Sequence, residues 1–282
     1  MKILLTNISL KNYQGTESWT YAMAKELSKE HEVTVFTKEL GLMSDKIEEL
    51  GVKVVQSGAG DYDFALINHN NFWKEVKCPK LFTSHSNFLP IEQPTREMGD
   101  DWIGVNEYIC PRVIRNGIDL ERFKPTKINK ELKNILYLSN PTYSKGKDFI
   151  REVFKDYNVI TLDEQTFDIN EYIDKADLVI SYARGAIESL VSGKKVIYGD
   201  WRHDTNCFMG YGMITEDNYE LFKNGDMRKN LRKMDADTLL AETSLYDPLN
   251  CLSERSRQDY DIKKTTKEYI RLISGKIPKT SG

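Results

Sequence analysis

The chain is poor in the residues that staple a protein or anchor it. Its four cysteines, Cys78, Cys110, Cys207 and Cys251, are scattered over 282 residues with no CxxC pair. That spacing argues against a zinc site and a disulfide framework, and it fits a reducing cytoplasm. No apolar run approaches the ~18 residues needed to span a bilayer. The opening MKILLTNISLKNYQG lacks a long apolar region and a small-x-small cleavage site, so it reads as a first strand and not as a signal peptide. The GxGxxG, P-loop, GxSxG and HExxH patterns are all missing, which removes the common dinucleotide, phosphate-loop, esterase and zinc-protease readings. Aspartate pairs occur at 61/63, 235/237 and 259/261, but none follows a convincing central strand, so no metal site is expected from them. The net charge of −3 leaves no footprint for tight nucleic-acid binding. Basic residues do cluster at 223–233 and 263–271, either as solvated helix faces or as a surface for a phosphate-rich acceptor.

What is present is ordinary globular material, 40% hydrophobic and 29% charged. The length suits one large domain or two of roughly 140 residues. KILLTNIS reads as a buried strand, and a Gly-containing loop leads from it into ESWTYAMAKELSKE. That segment sets Trp19, Ala22, Met23 and Leu27 at helical spacing. Further strands are expected at EVTVFTK, VKVVQSG, FALINH, KLFTSHS, WIGV and RVIRNG. A polar, aperiodic stretch, 123–133, reads as a linker. The alternation then restarts with NILYLSN, GKDFIREVFKDY, NVITL, DINEYIDKA, LVISY, GAIESLVSG and KVIYGD. Two runs of βα units imply two parallel sheets covered on both faces, hence an α/β chain of two Rossmann-like domains. The expected boundaries are 1–124 and 134–258, with a C-terminal helix in 259–282 crossing back to the first domain.

Four stretches carry chemistry. In YARGAIESLVSG a helix is expected from Gly185, with Glu188 in its first turn. Such a helix, following a parallel strand, presents free amides to a phosphate, and a carboxylate one turn on suits a ribose diol. The competing reading is a glutamate paired with the helix dipole. In YLSNPTYSKGKDF, Lys145 sits at a helix start, where a cation is unfavourable unless an anion joins it; a surface lysine beside a turn glycine is the alternative. In LKNYQGTESW, Gly15 occupies a phosphate-loop position, whereas Thr16 or Ser18 would serve as a plain N-cap. His85 ends a strand at a ligand-facing position, with His69 in reserve, although a lone histidine is more often structural.

The order of these stretches resembles the GT-B glycosyltransferases, above all the retaining group 1 nucleotide-sugar enzymes. QGTESWTYAMAKELSKEHEVTVFT is similar to their "GGxE" opening. VIRNGIDLERFKP resembles the segment that ends their first domain. ILYLSNPTYSKGKDFI and YARGAIESLVSGKKVIYGD resemble their two donor-side segments. The likeness runs from residue 1 to about 225. It implies two Rossmann-like domains facing a cleft, and transfer from a nucleoside diphosphate sugar, UDP-linked, with retention and without a metal or cofactor.

By the same resemblance, Lys145 would stabilise the leaving phosphate and His85 would reach the donor sugar near the reacting carbon. Gly15 and Thr16 would line the donor from the first domain. Arg184, Gly185 and Ala186 would meet the diphosphate, and Glu188 the ribose. The family's usual arginine is Asn140 here, with Arg184 as a substitute cation. Its first paired glutamate has no counterpart, and the first glycine of its Gly-Gly loop is Gln14. The acceptor stays open between a glycan, a lipid and a hydroxymethylated DNA base. The last is suggested by Lys, Asn and Ile usage that fits an AT-rich, phage-like genome. The competing functions on the same frame are a sugar-nucleotide epimerase or hydrolase, and a non-catalytic nucleotide-sugar-binding module.

Overall fold

The computed structural model describes residues 1–139, 144–249 and 252–275; Asn140 and Cys251 therefore lie outside the described residues. The chain divides into two compact units, residues 1–118 with 261–282, and residues 119–260. Among the described residues no helix is long and apolar enough to cross a membrane.

In unit one, β1 (Lys2–Ser9), α1 (Gly15–Leu27), β2 (Glu32–Glu39), α2 (Leu42–Glu48), β3 (Lys53–Val55), β4 (Phe64–Ile67), β5 (Lys80–Ser84) and β6 (Trp102–Gly104) follow in order. The strands form one parallel sheet, β3-β2-β1-β4-β5-β6. Consecutive residues Ile3 to Thr6 are buried, as expected where helices cover both faces. Helix α1 turns Trp19, Ala22, Met23 and Leu27 into the core, the face that its periodicity predicts. RVIRNG forms no strand; it contributes a single bridge from Val113 to Gly104.

In unit two, β7 (Asn134–Leu138), α3 (Ser144–Val153), β8 (Asn158–Thr161), α4 (Ile169–Lys175), β9 (Leu178–Ser181), α5 (Ala183–Val191), β10 (Lys195–Arg202), β11 (Cys207–Met213), α6 (Tyr219–Lys223), α7 (Asp226–Lys229), β12 (Arg232–Lys233), α8 (Ala236–Ala241) and α9 (Ser253–Asp259) follow. The sheet order is β12-β11-β10-β9-β7-β8, parallel from β10 to β8 and antiparallel at the other edge. Residues 123–133 carry no helix or strand, yet 129–133 are not loose. The Asp177 carboxylate accepts from the amides of Asn129, at 2.8 Å, Lys133, at 3.2 Å, and Asn134, at 2.8 Å, pinning the segment to unit two.

The last helix, α10 (Ile262–Ser274), belongs to unit one. Ile262 donates its amide to the Ile118 carbonyl, and Thr265 Oγ1 donates to the Arg115 carbonyl. Tyr269 is fully buried, edge-on to Trp19, with its hydroxyl 3.0 Å from Thr83 Oγ1.

Each sheet has one point where the strand order reverses: between β1 and β4 in unit one, and between β7 and β9 in unit two. Ligands in open α/β sheets bind outside the carboxyl ends of strands at such points. The residues singled out in the sequence collect around these two places.

Candidate functional site

At the β1/β4 reversal the polar side chains are knitted together. Thr20 Oγ1 accepts from Asn7 Nδ2 at 2.9 Å and from Asn68 Nδ2 at 3.3 Å, and donates to the Thr16 carbonyl. This locks the first turn of α1 to the ends of both central strands. Asn68 Oδ1 lies 3.1 Å from His85 Nε2; because an amide oxygen only accepts, Nε2 carries the proton. The His85 ring meets Trp19 edge-on at 5.4 Å.

His69 is structural. Its Nδ1 accepts the Ile8 amide at 3.2 Å, and burial pushes its pKa down to about 4, so the ring is neutral. Neither Thr16 nor Ser18 caps α1: the N-cap is Gln14, with no side-chain hydrogen bond. The Thr16 hydroxyl instead donates to Glu17 Oε2 at 3.0 Å. A Cβ on Gly15 would meet nothing within 4 Å, so packing does not explain a glycine there.

The residue that the sequence reading passed over is Glu17. It is 6% exposed and its carboxyl is pushed up to about 7. Burial is the main cause, and the nearby charge of Glu92 adds to it against the opposing hydrogen bonds of the Glu17 amide and Thr16. A glutamate in the first turn of a helix ordinarily reads as a dipole partner; the signal for more than that was a carboxylate inside an apolar-faced segment.

At the β7/β9 reversal, the Ser181 hydroxyl donates to the Leu138 carbonyl at 3.1 Å, joining the carboxyl ends of the two strands. Helix α5 starts directly above. It begins at Ala183, two residues earlier than the pattern predicts, which moves Glu188 out of the first turn and removes the dipole reading. Gly185 is there for close approach: a Cβ would lie 2.5 Å from Ser181 Oγ and 2.9 Å from Leu138 Cδ2. Ala186 is fully buried. Ala183 holds φ of 51°, an uncommon left-handed conformation for a residue with a side chain. Beyond it, the amides of the first helical turn have no intrahelical acceptor.

Glu188 does not stand alone. Its Oε1 accepts from Arg184 Nε at 2.8 Å, both side chains being about nine-tenths buried. Arg184 is thereby engaged by the carboxylate, which weakens it as a substitute for the arginine that the resemblance leads one to expect. Lys145, in the first turn of α3, donates to Asn206 Oδ1 at 3.1 Å, and Asn206 lies in the turn between β10 and β11. Gly146 beside it lets α3 settle on the sheet: a Cβ would lie 2.7 Å from both Trp201 Cβ and Tyr137 Oη.

That β10–β11 hairpin was not legible in the sequence. Strand β10 pairs with β9 only as far as Tyr198, opposite Ser181, and then runs on to Arg202 paired with β11 alone. It carries Arg202 past the carboxyl edge of the parallel sheet. The basic run 223–233 is mostly self-paired, Lys223 with Glu220 and Lys229 with Asp226, as solvated faces usually are. Arg228 turns the other way and donates from Nε to the Tyr182 hydroxyl. The paired aspartates also have structural duties. Asp235 caps α8, Asp261 caps α10, Asp63 accepts the Lys2 amide, and Asp259 accepts from Tyr219.

No protein-family model matches the sequence, and no curated protein does. Solved structures match over the whole chain. HepE of Anabaena, solved with UDP and glucose, superposes with a TM-score of 0.68 at 13% identity, covering 98% of this chain and 100% of that one. A glycosyltransferase of Rickettsia africae gives 0.65 at 13% identity, covering 99% of each chain. A UDP-GlcNAc 2-epimerase of Neisseria meningitidis, bound to UDP-GlcNAc, gives 0.54 at 12% identity, covering 98% of this chain and all of the other. The chain therefore has the GT-B glycosyltransferase-like fold, two Rossmann-like domains, as the resemblance implies.

Proposed function

We propose that the chain is a glycosyltransferase that takes a sugar from a nucleoside diphosphate donor, UDP-linked, and passes it to an acceptor hydroxyl with retention of anomeric configuration. The observation that carries this is the β7/β9 reversal. A helix start sits there on a glycine that admits no side chain, with a carboxylate one turn on, and two strand ends are joined beneath it. That arrangement suits a pyrophosphate over the amides and a ribose near Glu188, whose Oε2 has no hydrogen bond among the described residues.

In the proposed reaction the bond from the anomeric carbon to the β-phosphate oxygen breaks and a bond to the acceptor oxygen forms. The acceptor proton passes to the departing phosphate. Lys145 and the α5 amides stabilise the charge that develops on that phosphate, and no metal is called for. In unit one, Gly15, Thr16 and His85 are the residues assigned to the donor sugar. The protein works in the cytoplasm, on a glycan, a lipid or a hydroxymethylated DNA base.

A second reading, sugar-nucleotide epimerisation, is favoured by one feature. Glu17, held near neutral pH, has the affinity expected of a proton acceptor. A panel of UDP-, GDP- and ADP-sugars, run with glycan, lipid, protein and hydroxymethylated-DNA acceptors under mass-spectrometric detection, separates the two. Sugar added to an acceptor supports transfer. Interconversion of the donor without transfer supports the epimerase, and absence of nucleotide-sugar binding overturns both.

A further inference from the structure

Tyr182 follows β9 as the N-cap residue of α5, and it is half-buried. Tyr198 stacks on it, with centroids 4.9 Å apart and planes 28° from parallel. The Arg202 guanidinium lies 4.6 Å from the ring centroid and that of Arg228 lies 5.1 Å from it. A ring so occupied has no face to offer a nucleobase. It acts as a mount for two guanidinium groups, which stack on aromatic rings while keeping their N–H forks outward.

No carboxylate lies within ion-pair distance of Arg202 or of Lys145 among the described residues. One anionic group that bears on Arg202 is Asp200. Asp200 is occupied, taking the Tyr137 hydroxyl at 2.6 Å and the Trp201 amide at 2.8 Å on one oxygen. Burial also holds its carboxyl above the usual range, which weakens it as a counter-charge. Among the described residues Lys145 donates to the neutral Asn206 amide of the same hairpin. Arg202 and Lys145 therefore lie at the β10–β11 hairpin with no carboxylate in ion-pair range among the described residues. Such a cluster asks for an anion from outside.

We infer that Arg202, with Arg228 held beside it on Tyr182, binds the diphosphate of the nucleotide donor, so that the β10–β11 hairpin supplies the cation that Asn140 and the carboxylate-bound Arg184 do not. The inference rests on the nucleotide-sugar reading and adds to it the phosphate-binding residues particular to this chain. Tyr182 is a positioning residue: it touches the arginines and not the ligand.

The test is calorimetric titration of the full chain with UDP, uridine and pyrophosphate. Arg202→Gln should weaken UDP and pyrophosphate about ten- to hundredfold, the loss of one charge-assisted contact, and leave uridine unchanged. Arg202→Lys should recover part of the loss. Tyr182→Phe, which keeps the ring and deletes only the hydrogen bond from Arg228, should weaken UDP less than Arg202→Gln does. If Arg202→Gln binds UDP as the wild type does, the inference is overturned while the nucleotide-sugar reading stands. An equal loss of UDP and uridine also overturns it, because the effect then lies in the nucleoside pocket or the fold. If the wild type binds none of UDP, GDP and ADP, the reading itself fails and takes the inference with it.

Discussion

Arg184 and Glu188 form an i,i+4 ion pair at 2.8 Å on α5, with side chains only 10% and 9% exposed. A pair this far from solvent is costly to break on one side, because the survivor is a buried charge with no partner. Arg184→Ala should destabilise unit two by about 3 kcal/mol, read from urea denaturation. Arg184→Met combined with Glu188→Leu should recover most of that. A double variant no better than the single one would show that the pair contributes through other contacts.

Glu188→Gln separates structure from ligand binding. The amide keeps an oxygen for Arg184 but gives up the charge. If Glu188 also holds the ribose, uridine and UDP should weaken by the same factor in Glu188→Gln. Unchanged uridine affinity would remove Glu188 from the donor site.

Two buried groups of unit one titrate in opposite senses. Glu17 has its pKa raised from 4.5 to about 7, so its contribution to stability is full below 4.5 and is lost as pH rises through 7. His69 has its pKa lowered from 6.5 to about 4, so its contribution is full above 6.5 and is lost as pH falls through 4. Each swing is about 3 kcal/mol, so between pH 4.5 and 6.5 the two nearly offset. Glu17→Gln should expose the histidine alone, with stability climbing steadily from pH 4 to 6.5. His69→Asn should expose the glutamate alone, with stability falling from pH 4.5 to 7. A Glu17→Gln profile parallel to the wild type would show that the carboxyl is not buried in solution.

Three glycines should respond differently to one methyl group. Gly185→Ala and Gly146→Ala place a Cβ within 2.7 Å of fixed atoms and should cost about 1–3 kcal/mol. Gly15→Ala meets open space in the first turn of a helix and should gain up to about 1 kcal/mol. If Gly15 is kept for ligand approach, the same variant should bind UDP-sugar more weakly although it melts higher. A stabilised variant with unchanged donor affinity would reduce Gly15 to an ordinary helix start.

Lys145→Ala should lower kcat about 10²–10³-fold while leaving the urea midpoint within error, since its one hydrogen bond in the described structure is to Asn206 at the surface. Near-normal turnover would remove it from the leaving-group role.

The alternation of strands and helices and the face of α1 were legible because periodicity and order are written locally, whereas the strand order that places the two reversal points is not. The start of α5 was misplaced by two residues because Ala183 and Arg184 carry no punctuation, and the turn depends on Ala183 adopting a positive φ. Strand β11 was missed because CFMGYGM is broken by glycines. Gly210 makes sense only opposite Gly199, where a Cβ would come 2.8 Å from Gly210 Cα, and Gly212 only through its φ of 117°. The Tyr182–Arg202–Arg228 cluster is invisible to any motif, its members being 20 and 26 residues apart and joined only by the hairpin and α7. Glu17 was in plain sight in the quoted "GTESW", but its unusual affinity for a proton depends on Glu92 and on burial, and neither is a local property.

Helix α10 closes unit one with Tyr269 against Trp19 and Thr83, and Trp19 is 1% exposed as a result. A ribosome delivers Trp19 250 residues before it delivers Tyr269, which covers it. The first unit to emerge is therefore the last to be finished, and it waits through the synthesis of all of unit two with an indole uncovered. Amber stops or proteolytic nicks near residue 260 would thus injure the opposite end of the gene product, leaving the amino-terminal sheet as the part that chaperones and proteases find first.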